Sequence, residues 1–269
     1  MHQQLADADE KLGNSLEAVR EYQRAAELKA TESNLFDWGA ELLTHRAFDQ
    51  AVEVFSKGNR LFPRSVRTLL GLAAAWYSRG DYDQAAERFF EACDLNPSDP
   101  GPYLFLGKVQ SAEILQSDGY LERMGRFARL QPDNALANYY YAASLWKRNG
   151  LADSETRAKV QTLLEKAVRL DPNLGAGYLQ LGIFYAGQKD FPNAITAYQR
   201  AIAVSPQLEE AHYRLAQAYR LTGEELKAQN EFADHAQLSR KAAEDLERER
   251  REIQQFVFAL RGNSASPPR

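Results

Sequence analysis

Residues 69–99 read LLGLAAAWYSRGDYDQAAERFFEACDLNPSD, and the spacing of apolar groups in that stretch decides the fold. Leu69, Leu72 and Trp76 recur at i, i+3 and i+7, one apolar stripe on a first helix. Gly80-Asp81 stops that helix, glycine serving the left-handed turn at its end. Ala85, Phe89 and Ala92 follow at i, i+4 and i+7, the inward stripe of a second helix. Asn96-Pro97 closes it, because proline cannot extend the hydrogen-bond ladder and biases its predecessor away from α. Each helix has a single apolar stripe, so neither is stable alone and the pair must stack on further pairs.

The same frame recurs along the chain. Pro63, Pro97, Pro132, Pro172 and Pro206 are separated by 34, 35, 40 and 34 residues, and a fixed period of this size means a stack of repeated supersecondary units. The unit before the quoted one carries Leu35, Trp38, Gly39 and Leu42, then Ala51, Phe55, Gly58 and Pro63. The most regular one carries Tyr178, Leu181, Gly182 and Tyr185, then Ala194, Tyr198, Ala201 and Pro206. His212, Leu215, Ala216 and Tyr219 follow with Gly223, Ala228 and Phe232, without a closing proline. One slot of the first helix is always small: Ala6, Gly39, Ala73, Gly107, Ala142, Gly182 and Ala216. Small residues there let two helices approach, and a bulky replacement would overpack by roughly 1–3 kcal/mol.

The Trp/Leu–Gly/Ala–Tyr/Leu triplet, the Ala–aromatic–Ala triplet and the Asp/Asn-Pro ending together resemble the tetratricopeptide repeat family. The resemblance implies an all-α fold, a right-handed superhelical solenoid of antiparallel helix pairs. It covers residues 1–238 as about six full units behind a truncated first one, in which Leu5, Ala6 and Gly13 match Leu215, Ala216 and Gly223. That partial start suggests that upstream repeats have been cut away. Two units are irregular. Residues 99–132 keep Tyr103, Leu106 and Gly107 but carry Tyr120, Met124 and Phe127 in place of Ala, aromatic and Ala, which should wedge adjacent helices apart. Residues 133–172 hold six extra residues, most easily placed as a surface loop around KRNGLADSET (147–156), with Asn149-Gly150 closing one helix and Asp153 or Ser154 capping the next. Residues 239–261 continue as a charged helix with a sparse stripe of Ala243, Leu246, Ile253, Val257 and Leu260, a cap on the array or a short coiled coil. Residues 262–269 read as a disordered tail.

Nothing in the chain assembles catalytic chemistry. The four histidines, His2, His45, His212 and His235, have no second histidine three or four residues away, and His212 and His235 occupy packing slots of the frame. Cys93 is the only cysteine, so neither an intrachain disulfide nor a multi-cysteine metal site is possible. No glycine-rich phosphate loop joins a strand to a helix. The expectation is no enzyme, no catalytic residue, no metal and no cofactor. No run of about 18 apolar residues appears and no apolar leader follows Met1, so membrane insertion is not expected. The compartment, cytoplasmic or periplasmic, stays open.

In the family the first helices line the concave side. At about 100° per residue, the face beside the packed stripe carries Phe36 and Leu43, Leu70 and Tyr77, Leu104 and Lys108, Tyr139, Ala143 and Trp146, Leu179 and Ile183, then Tyr213, Gln217 and Arg220. Chaperone-binding members hold a C-terminal carboxylate with Lys, Arg and Asn on this face; here Phe36, Ala40, Leu70, Ala74 and Leu104 stand there, so that clamp is absent. The candidate groove is Phe36, Leu70, Tyr77, Lys108, Tyr139, Trp146, Ile183, Tyr213 and Arg220. Each ring has the alternative of packing against the neighbouring first helix. The expected function is a non-catalytic scaffold that binds an apolar or amphipathic protein segment there. Alternatives are the interaction or regulatory domain of a larger polypeptide, enzymatic or otherwise, a homodimer through the C-terminal helix with Phe256, Val257, Phe258 and Leu260, and RNA binding by a related helical repeat. The formal charge of −4 and the apolar slots speak against the last, and no nucleic-acid partner is expected.

Overall fold

The computed structural model describes residues 2–107, 114–115, 117–149 and 153–262, for Asn149 and residues 245–262 the backbone alone. Among these residues every regular element is a helix. They divide into two compact units, Met1–Ile114 with Glu247–Arg269, and Leu115–Leu246. The first unit stacks α1 (His2–Lys11) on α2 (Ser15–Leu28), α3 (Glu32–Thr44) on α4 (Phe48–Leu61) and α5 (Val66–Arg79) on α6 (Tyr82–Leu95), followed by α7 (Pro100–Leu106). The second begins with α8 (Asp118–Leu130). It then pairs α9 (Ala135–Asn149) with α10 (Ser154–Leu170), α11 (Gly175–Gly187) with α12 (Phe191–Val204), and α13 (Glu209–Leu221) with the start of α14 (Glu225–Gly262).

Helix starts follow from side-chain chemistry. Thr31, Ser65 and Ser117 each accept a hydrogen bond from the backbone N–H three residues on, at 3.2, 3.1 and 3.1 Å. Asp153 accepts from Glu155 N at 3.1 Å and Thr156 N at 2.8 Å. Hydrogen bonds from Thr156, and then the Glu155 amide, hold its carboxyl below the usual aspartate range.

The turn is left-handed inside the α1–α2, α3–α4, α5–α6, α11–α12 and α13–α14 hairpins. Gly13, Gly80 and Gly223 have φ of 77°, 94° and 82°, and Arg46 and Lys189 take the same seat with φ of 58° and 64°. The turn geometry is therefore set by the stacking of the two helices, not by glycine. Glycine relieves a left-handed penalty of about 1–2 kcal/mol but loses about 0.5–1 kcal/mol through the freedom of the unfolded chain. Lys189→Gly is accordingly expected to raise stability by roughly 0.5–1 kcal/mol in urea denaturation; an unchanged or lower midpoint would mean that the lysine is relaxed there.

The cores follow the repeat frame. Leu35, Leu42, Val52, Phe55 and Leu72 form one cluster of the first unit, with Trp38 and Trp76 packed against it. Leu145, Val160, Leu164, Leu181 and Phe184 form one of the second, and Tyr198, Leu215, Tyr219 and Ala228 another. The small slot is closed at Ala6, Ala73, Ala142 and Ala216, each 0% exposed. Gly107 departs from it: half-buried, it sits just past the end of α7. The large residues of the irregular unit, Tyr120, Met124 and Phe127, are all buried. The extra length of residues 133–172 goes largely into helix rather than loop, since α10 has 17 residues where α4, α6 and α12 have 14. Gly150, read as a helix stop, lies outside the described residues. The backbone of α14 passes residues 238 and 239 without a break, and the side chains of Phe256, Val257, Phe258 and Leu260 lie outside the description.

Candidate partner-binding face

In the first unit the candidate rings are drawn into packing. Phe36, on α3, meets Phe55 edge-on at 5.6 Å. The Arg67 guanidinium lies 3.9 Å from the centroid of the Phe36 ring and pairs with Asp37 at 3.1 Å. A cation held that way covers the ring. Leu70 is half-buried on α5. Tyr77 leans on Tyr82 at 5.3 Å, and burial, then the neighbouring phenol, pushes its hydroxyl pKa up. Lys108 lies outside the described residues.

The second unit presents its rings differently. Trp146, half-buried on α9, packs on Phe184 of α11 at 5.7 Å and 58°. One side of the indole is thus fixed by the next hairpin. Tyr139, two turns earlier on α9, tilts against Tyr140 at 5.2 Å. Burial pushes its phenol up to about 12, assisted by Tyr140 and by the Glu210 carboxylate. Glu210 belongs to α13, so the α9 phenol lies within electrostatic reach of the start of a first helix two hairpins on. Its hydroxyl stays protonated at neutral pH. Ile183 is half-buried on α11, packed against the cluster of Leu179, Tyr198, Leu215 and Tyr219.

Tyr213 is 39% exposed on α13 and meets Phe232 at 5.8 Å and the His235 ring at 5.3 Å, both on α14. Its ring therefore rests on its own hairpin partner. Arg220, exposed two turns later, sits 5.7 Å over Phe232. Helical phase alone places Tyr213 and Arg220 on the first-helix face; it does not reveal that Phe232 supports both.

One set of polar residues went unrecognised in the sequence. Tyr103 OH donates to the Pro97 carbonyl at 3.1 Å, Asn138 Nδ2 to the Pro132 carbonyl at 2.8 Å, and His212 Nε2–H to the Pro206 carbonyl at 3.1 Å. Each donor stands six residues after its proline, buried on the first helix of the following pair. Tyrosine, asparagine and histidine share no sequence signal, only this reach. The His212 seat is the packing slot expected of it, with a polar task added.

No helix among the described residues is long and apolar enough to cross a membrane. Two repeat models match the chain, one for the tetratricopeptide repeat at residues 36–100 and one for the TPR repeat at residues 185–223. The chain is 25% identical over 225 residues to the protein CTR9 homolog of Arabidopsis thaliana. That match covers 81% of this chain but 20% of the relative, so the chain spans about one fifth of that protein's length. Among solved structures, a thermophilic TPR protein of Thermus thermophilus aligns with 72% of this chain and 100% of its own, at 21% identity and a TM-score of 0.56. The APC/C hetero-tetramer Cut9–Hcn1 covers 91% of this chain with 47% of its own, at 20% identity and a TM-score of 0.63. These likenesses concern the fold. Both repeat models fall on hairpins described above, so residues 36–100 and 185–223 carry tetratricopeptide repeats.

Proposed function

We propose that this chain is a protein-interaction scaffold, and that the first-helix face of its second unit is where it holds a partner segment. The observation that carries this reading is the contrast between the two units. Phe36 is covered by Arg67, whereas Tyr213 keeps 39% of its surface in solvent while Phe232 and His235 brace it from behind. A ring fixed on one side and open on the other loses little freedom on binding, which is what makes aromatic anchors strong. Trp146, braced by Phe184, and Tyr139, with its neutral hydroxyl, extend that face toward α9, and Ile183 adds an aliphatic floor. Arg220 is the exposed cation at its edge. An apolar or amphipathic peptide with an acidic group beside its anchor fits this chemistry. Such a role needs no bond made or broken by the scaffold.

The test is selection of peptides from a displayed library on the whole chain, followed by titration with the Tyr139→Ala, Trp146→Ala, Tyr213→Ala triple variant. The expected loss is about 100-fold in affinity, equivalent to about 2.7 kcal/mol, with helicity by circular dichroism unchanged. Tyr213→Ala alone should lose about tenfold, one anchor's share. Affinity retained by a folded triple variant would remove this face as the site.

A further inference from the structure

The last hairpin of the described array repeats a pairing found in the first, with one change of charge. His2 and His212 occupy the same slot of the frame, as do Glu21 and Glu231, because Leu5 and Ala6 correspond to Leu215 and Ala216. Both pairs form: His2 Nδ1 lies 2.6 Å from Glu21 Oε2, and His212 Nδ1 lies 2.7 Å from Glu231 Oε2. One turn beyond the glutamate the two copies part. The first has Arg24, which pairs with Glu21. The last has Asp234, whose carboxylate joins His212 and Glu231 so that one ligand atom from each lies within 4.8 Å of the others.

The polarity of this trio is unbalanced. A carbonyl oxygen only accepts, so the 3.1 Å contact to Pro206 makes His212 Nε2 the donor. In the neutral ring Nδ1 then carries a lone pair, and it faces two carboxylates. Nearby cations are engaged elsewhere: Arg214 with Glu210, Lys227 with Glu224, Arg220 over the Phe232 ring. No cation pairs with Glu231 or Asp234 among the described residues.

We propose that His212 Nδ1, Glu231 and Asp234 form a binding site for a borderline divalent cation of the zinc class that pins α13 to α14. Imidazole nitrogen with carboxylate oxygen is a donor set for such ions, and three protein ligands leave a position for water. The hydrogen bond from the far ring nitrogen to a backbone carbonyl is the arrangement that orients metal-bound histidines. Burial is graded in the right direction, with His212 enclosed, Glu231 intermediate and Asp234 exposed, so an ion enters from solvent and the outermost carboxylate turns to close on it. Seating the ion separates His212 from Glu231 slightly and draws Asp234 inward, since ligands about 2.0–2.2 Å from zinc lie farther apart than 2.7 Å. The equivalent seat in the first hairpin is filled by the Arg24 guanidinium and takes no metal.

The experiment is calorimetric titration of the tag-free chain with ZnCl2, with Co2+ absorption as a second probe. The expected result is saturable 1:1 binding that is retained in His2→Ala, and a melting temperature raised by zinc and lowered by a chelator. Asp234→Arg installs the first hairpin's charge pattern, and should abolish both the binding and the zinc-dependent melting shift while leaving metal-free melting unchanged. Asp234→Asn, a minimal change at an exposed position, should also lose saturable binding should the arginine disturb folding. Absence of 1:1 binding in the unaltered chain would overturn the proposal. Binding of equal strength in both Asp234 variants would overturn it too, by placing the ion elsewhere.

Discussion

Phe55→Ala is expected to lower the stability of the first unit by about 3–5 kcal/mol, the full range for deleting a buried aromatic ring. The ring is 1% exposed on α4 and lies between two bare stretches of backbone. A Cβ added at Gly39 of α3 would fall 2.7 Å from its Cζ, and one added at Gly71 of α5 would fall closer still to its Cε1. One side chain thus locks its own hairpin to the next. Glycines on both sides have no side chain to swing into the vacated space, so relaxation is limited and the cost belongs near the top of that range. Overfilling the same seat is costly as well: Gly71→Ala should lose about 1–3 kcal/mol. The double variant Phe55→Leu with Gly71→Ala should lose less than the sum of its two single changes, because the smaller side chain gives the new methyl room. Equilibrium urea denaturation measures all four. A loss below about 1 kcal/mol for Phe55→Ala would mean that the helices close over the hole. In a stack where each pair contacts only its neighbours, amide exchange in α3, α4 and α5 should accelerate first.

These examples show what a sequence of this kind discloses. The hairpins, the small slot and the inward aromatics are periodic, and a period is visible in a single chain. Gly39 could be read as a close contact because it sits in the repeating slot; Gly71, two residues before Ala73, could not, although the structure places it even closer to Phe55. The left-handed turns were legible at Gly80 and hidden at Arg46 and Lys189, where tertiary packing imposes the conformation on residues that do not favour it. Helical phase put Trp146 and Tyr213 on the first-helix face. It could not supply their supports, because Phe184 and Phe232 reach them across a contact that depends on rotamer and helix spacing. His212, Glu231 and Asp234 are separated by 19 and 3 residues on two helices, a spacing that no single-helix ligand pattern contains. Interactions encoded by repetition are readable; those encoded by one residue's reach are not.

Asn138 is the sharpest case of the second kind, and its nearest isostere supplies the test. The side chain is 2% exposed on α9 and uses both amide hydrogens, toward the Pro132 carbonyl at 2.8 Å and the Asn134 carbonyl at 2.7 Å. Asn138→Asp keeps the shape and replaces the two donors with an acceptor-only carboxylate facing two carbonyl oxygens. An uncompensated charge in an enclosed seat costs about 3–5 kcal/mol, and that is the expected loss at pH 7. The loss should shrink on acidification. Burial and the facing carbonyls raise the carboxyl's pKa in the folded chain above its unfolded value, so the folded state binds the proton more tightly. The relative stability of the variant is therefore greatest below the unfolded pKa and falls as pH rises through the folded one. Asn138→Leu removes the donors without adding charge and should lose about 1–3 kcal/mol at every pH. Asn138→His should recover part of that loss, since His212 fills the same seat six residues after Pro206 with an Nε2–H donor. Parallel denaturation curves at pH 7 and at mildly acidic pH, referred to the unaltered chain, separate these outcomes. An Asn138→Asp chain as stable at pH 7 as the unaltered one would mean that water reaches the Pro132 carbonyl, and that the donor recurring after Pro97, Pro132 and Pro206 fills space rather than holding the hairpins together.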